Sequence, residues 1–146
     1  MKKIFICLFS FAILLGLSAC SLKKETPSDE LFIEKCKQIG FEGDPYLESD
    51  TVYFDDQETE AEAGLMKVGS FEQAAAAMES VETNLEHEFE DAKVTGKVSV
   101  GNYRLKEWTT DAHYIVLIIN EDSFIFFYTP ASKKEAVKTA IKEMGL

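Results

Sequence analysis

The apolar positions of this chain follow several distinct patterns. Ile4 to Leu17 contain no charged residue. From about Pro27 or Ser28 to Ile39 the pattern turns helical, with Phe32, Ile33, Cys36 and Ile39 on one face. Thr26 or Ser28 can cap this helix, Asp29 and Glu30 suit the positive end of its dipole, and Gly40 supplies the stop. Phe41 to Ala63 shows little periodicity apart from a short strand at Thr51-Val52-Tyr53-Phe54. The acidic run Asp55 to Glu62 reads as an exposed loop, and Gly64 to Val68 as a second strand.

The strongest helical signal begins at Ser70, which forms a capping-box pattern with Gln73. Phe71, Ala74, Ala75, Met78, Val81, Leu85 and Phe89 then recur at spacings of three and four, predicting an amphipathic helix of about five turns. After Asp91 the period shortens to two. Val94, Val98 and Val100 predict a strand with a weak point at Gly96. Asn102 to Trp108 predicts another, or its continuation past a bulge at Gly101. Tyr114–Ile119 and Phe124–Tyr128 form a hairpin about the turn Asn120-Glu121-Asp122-Ser123. A last helix follows Pro130, with Ser132 and Glu135 as its capping box, Ala136, Val137, Ala140, Ile141 and Met144 inward, and Gly145 at its end.

This order predicts an α+β domain: a mainly antiparallel sheet of about four to five strands with a long central helix, and N- and C-terminal helices packed on it. The helices are expected on one face. The paired strands at 114–119 and 124–128 strain that picture, because they are apolar at nearly every position. Half-exposed strands alternate, so these two must be central and covered on both sides. The cover is the first helix, membrane-proximal lipid or another protein.

The N-terminal pattern carries an address. Lys2 and Lys3 precede an apolar run of about 14 residues, shorter than the roughly 20 a spanning helix needs. That is the form of an export signal. Leu17-Ser18-Ala19-Cys20-Ser21 resembles the bacterial lipobox, in which the cysteine becomes the lipid-modified N-terminus. The resemblance implies a signal peptide at 1–19, a lipidated tether at 20–27 and a single domain at 28–146. It also implies diacylglycerol and palmitate-type acylation at Cys20, and an extracytoplasmic, membrane-anchored protein of the cell envelope. Several acyl chains make a durable anchor where one is marginal.

The order of elements also resembles a group of small uncharacterised lipoproteins of Gram-positive bacteria. Carrying the resemblance are the lipobox, Ile39-Gly40-Phe41, the long Phe/Ala-rich helix, Asn102-Tyr103, the aromatic hairpin and the closing Gly145-Leu146. It supports the fold and favours a host with a single membrane, although Ser21 would permit outer-membrane sorting in a host with two.

Charge and cysteine content narrow the function. The net charge of −11 becomes −13 once Lys2 and Lys3 leave with the signal peptide. So acidic a chain is a poor nucleic-acid binder, since phosphate contacts need clustered Lys and Arg. It is equally unsuited to lying on anionic lipid by electrostatics alone. Cys7 leaves with the signal and Cys20 is acylated, so Cys36 has no disulfide partner and the domain must rely on its core. Residues 25–62 carry thirteen acids and two bases, whereas residues 92–146 carry eight bases and six acids. This polarity serves solubility, or selects a basic or zwitterionic partner.

The residues that could carry catalysis or bind metal read more simply as structural or solvated. His87 lacks the second histidine of a zinc helix, because position 91 is Asp, and reads as part of a solvated acidic helix end. His113 reads as a surface residue at a strand start. Cys36 lies on the apolar stripe of the first helix and reads as structural. The acidic run lacks the spacing and glycine of a calcium loop. No nucleophile elbow, phosphate loop or dinucleotide fingerprint occurs. No catalytic residue, metal or cofactor is assigned, and the expectation is a non-enzymatic binding or interaction module with an envelope protein or small ligand as partner. Tyr103, Trp108 and Tyr128 are its candidate interaction residues, as an aromatic row if one face of the sheet is exposed. The alternative is a small-molecule or lipid carrier, or an accessory subunit of a transport system. A small hydrolase using scattered carboxylates is the third class.

Overall fold

The computed structural model describes residues 24–146. The expected signal peptide, Cys20 and the first part of the tether lie outside the described residues. The elements are α1 (Asp29–Ile39), β1 (Tyr46–Glu48), β2 (Thr51–Asp56), β3 (Ala61–Lys67), α2 (Phe71–Glu88), β4 (Lys93–Val100), β5 (Tyr103–Thr109), β6 (His113–Asn120), β7 (Ser123–Pro130) and α3 (Lys134–Glu143). The strands form one antiparallel sheet in the order β1-β2-β3-β7-β6-β5-β4. The α+β class stands, but the sheet has seven strands, not four or five.

Two strands escape pattern reading for physical reasons. β1 is exposed at all three positions, so nothing in its sequence records burial. The acidic run is strand at both ends: Asp55 and Asp56 finish β2, and Ala61 and Glu62 open β3. Only residues 57–60 remain as a turn. Asp56 builds it, accepting hydrogen bonds from the backbone N–H of Glu58 and Thr59, each at 3.2 Å, and from that of Glu42 at 3.5 Å. Burial works to raise the Asp56 carboxyl, but these donors outweigh it and hold the group below the usual carboxylate range.

Strand alternation divides the core in two. Tyr114, Val116, Ile118, Ile125 and Phe127 join the α1 and α3 side, with Phe32, Cys36 and Val137. Ile115, Leu117, Ile119, Phe124 and Phe126 join the α2 side, with Ala74, Met78, Val81 and Leu85. The helices therefore cover both faces, which corrects the expectation of one. α2 is not a central helix on which the others pack; it lies alone on its face. The chain's own helices explain why β6 and β7 are apolar throughout.

The helix ends follow local chemistry. Ser28 Oγ accepts from Leu31 N and Ser70 Oγ from Gln73 N, both at 3.2 Å, and Gly40 closes α1 at φ +107°. α1 rests on α3 through Lys35, whose Nζ lies 2.8 Å from the Glu143 carboxylate and 3.3 Å from that of Glu34. The hydrogen bond to Glu143 raises the Lys35 pKa above its ordinary value. The predicted capping box at Ser132 does not form. A 3-10 turn at Ala131–Lys133 leads into α3, and no side chain caps its start. Ala136 faces solvent, whereas Val137, Ala140, Ile141 and Met144 are buried as expected. Gly101 is no bulge: with Asn102 it turns the β4–β5 hairpin, and the register shift lies between Val94 and Gly96.

Candidate groove between α2 and the β4–β5 hairpin

α2 packs over the central strands β6 and β7. The sheet continues outward through β5 to the edge strand β4, so the helix leaves an overhang. An open groove of about 720 Å³ lies there, between α2 and the two strands. Ala75 and Ala76 keep the helix wall low.

The two walls carry opposite charge. α2 contributes Glu72, Glu79 and Glu82, and the strands contribute Lys97, Arg104 and Lys106. Lys106 Nζ lies 2.8 Å from the Glu82 carboxylate and 4.7 Å from the centre of the Trp108 ring. The Arg104 guanidinium lies 4.8 Å from the centre of the Phe71 ring, a cation–π contact that leaves its N–H groups available. Lys97 stands directly opposite Lys106 across the β4–β5 ladder. Like charges in that position repel, and Glu82 neutralises one of the two. Among the described residues Lys97 makes no ion pair.

The aromatic candidates are not brought onto one surface. Trp108 is 2 % exposed beneath α2, and Tyr128 is 5 % exposed near the far end of the same face. Tyr103 is partly buried on the opposite face, with Lys24 Nζ 4.2 Å from its ring centre. No exposed aromatic row forms among the described residues of the sheet. Cys20 lies outside the described residues. The groove charges went unnoticed in the sequence because they become neighbours only once register is set. Their signal was the alternation of Lys97 and Ser99 with Val98, and of Arg104 and Lys106 with Leu105.

His113 is the other correction. It is buried, with its ring stacked on Tyr128 at 4.6 Å and its Nε2 4.0 Å from the Glu60 carboxylate. Cys36 is fully buried, and burial pushes its thiol pKa up, away from the reactive thiolate. Nearby on the sheet, Tyr53 Oη donates to the Glu62 carboxylate at 3.1 Å. Burial raises both groups, and this hydrogen bond tempers the shift of Glu62. Among the described residues no three His, Cys, Asp or Glu side chains converge as a metal site. No family model, curated protein or solved structure matches the chain.

Proposed function

We propose that the chain is a lipid-anchored binding module of the cell envelope, held outside the membrane through Cys20, that grips a partner in the groove beside α2. The observation that carries this reading is the Lys97–Lys106 opposition. Two ammonium groups face each other across one ladder, and only one has a carboxylate. An anionic group of a partner supplies the missing charge at Lys97 and Arg104, while Glu72 and Glu79 receive a cationic group across the groove. The partner therefore carries both signs, as a surface segment of a folded protein does. An apolar carrier requires an enclosed apolar cavity. This groove is open and lined by six charged side chains, which favours the interaction module over the carrier.

The test is photo-crosslinking in living cells from a reactive amino acid placed at Ser99, inside the groove, with Thr139 on the exposed side of α3 as control. The expected result is a discrete protein adduct from position 99 only, lost in the double variant Lys97→Glu, Arg104→Glu. Identical adducts from both positions, unchanged by charge reversal, would sink the reading.

A further inference from the structure

We infer that the tip of the β4–β5 hairpin is the membrane-facing surface of the domain, seated in the headgroup layer that the anchor enters. This rests on lipidation at Cys20 and is independent of what the groove binds.

The first argument is where the tether arrives. The Lys24 carbonyl accepts a hydrogen bond from Asn120 Nδ2 at 3.2 Å, its ammonium lies over the Tyr103 ring, and Pro27 is buried. The chain is thus fastened to one end of the sheet, where Tyr103 pairs with Asn120 and both hairpins turn. Four residue steps separate Lys24 from Cys20, a reach of at most about 14 Å. The acylated end therefore stays close to Tyr103.

The second argument is what surrounds Tyr103. Val100 is its cross-strand partner and Val98 pairs with Leu105, so all four share a face. Val100 is 68 % exposed and Val98 45 %. The exposed large hydrophobic side chains of the described residues fall on β1 and β4, the two edges of the sheet; Val98 and Val100 lie toward the tether's end, whereas Val94 pairs with Trp108 at the far end of β4. Valine at a strand tip next to a lipid anchor has a ready apolar phase to enter.

Charge supplies the third argument. Lys24, over the Tyr103 ring, stands beside the valines and follows Lys23 in the tether of a strongly acidic chain, and cations at this level favour anionic headgroups within a Debye length. Glu121, bound by Asn102 Nδ2 at 3.2 Å, and Asp122 occupy the adjacent turn. The attraction is therefore local, and the hairpin sits on the bilayer only when the anchor brings it there.

The experiment uses the full lipidated protein reconstituted into phosphatidylglycerol-rich vesicles, with a polarity-sensitive fluorophore on Val100→Cys or, at the opposite end of the sheet, on Gln57→Cys. Cys36 is buried and escapes labelling. The expected result is co-flotation of both proteins, with quenching by brominated lipid several-fold stronger at position 100 than at 57. Equal quenching in protein that floats overturns the hairpin surface and leaves the anchor standing. Failure to float removes the anchor, and this inference with it. Disulfide capture between the Val98→Cys positions of two copies overturns it in favour of edge-to-edge pairing.

Discussion

Gly64 of β3 stands directly opposite Phe126 of β7, and the aromatic ring occupies the space a side chain at 64 would need. A Cβ there would strike the ring edge. Gly64→Ala should therefore destabilise the fold by about 1–3 kcal/mol, the range for overpacking a close-packed core. Phe126→Leu in the same chain should recover part of that loss, because it removes the atoms in the way. Denaturant titration of the two single variants and the double variant measures the coupling directly; strict additivity would refute the contact as its origin.

The helix caps make a paired prediction. Ser70 accepts a hydrogen bond from Gln73 N at the start of α2, so Ser70→Ala should cost about 1 kcal/mol. Ser132 has the same sequence signature, yet it sits in the 3-10 turn before α3 and caps nothing. Ser132→Ala should leave the melting temperature unchanged within error. Equal losses in the two variants would mean that the signature, and not the hydrogen bond, governs stability.

That contrast shows which parts of the fold are legible in sequence. α1, α2, β6 and β7 each bury a full stripe or both faces, so their periodicity is written in the apolar residues themselves. β1 buries nothing, and its strand character comes only from pairing with β2. The acidic residues 55, 56 and 62 lie in strands because register carries them there, against their own preference for loops. The same limit hid the groove. Glu82 and Lys106 are 24 positions apart, and no local pattern joins them. His113 looked like a surface residue because the rings that bury it, Phe89 and Tyr128, come from other elements.

Thiol chemistry tests maturation and packing together. Cys36 is completely buried, with a pKa raised by desolvation. The proposed maturation removes Cys7 with the signal peptide and consumes the Cys20 thiol by acylation, leaving Cys36 as the one remaining thiol. On that proposal the purified mature protein should show no thiol that reacts quickly with Ellman's reagent when native, and one when denatured. A fast native thiol would identify an unmodified Cys20. Cys36→Ser should destabilise by about 1–3 kcal/mol, since a hydroxyl would replace sulfur among Phe32, Phe41 and Val137.

The last prediction concerns pH. His113 faces Tyr128 in a stack, Phe89 at 6.0 Å between ring centres, the Glu60 carboxylate at 4.0 Å, and the field of Asp91. Burial dominates and lowers its pKa below 6.5, while the two acids oppose that shift. The unfolded chain therefore takes up a proton before the folded one does. Stability from His113 is fully present above the ordinary histidine range and declines as pH falls through it, the loss being complete below the folded pKa. Asp56 behaves in the same sense but in a lower window, because its carboxyl is held below the usual carboxylate range. Melting temperatures between about pH 8 and pH 5 should therefore fall in the parent chain, and fall less in His113→Gln, where no imidazole titrates. The decline that both share near the acid end belongs to carboxylates such as Asp56. A parent chain that gains stability across the histidine range relative to His113→Gln would show that Glu60 and Asp91 outweigh burial, and that the imidazolium is the form this pocket holds.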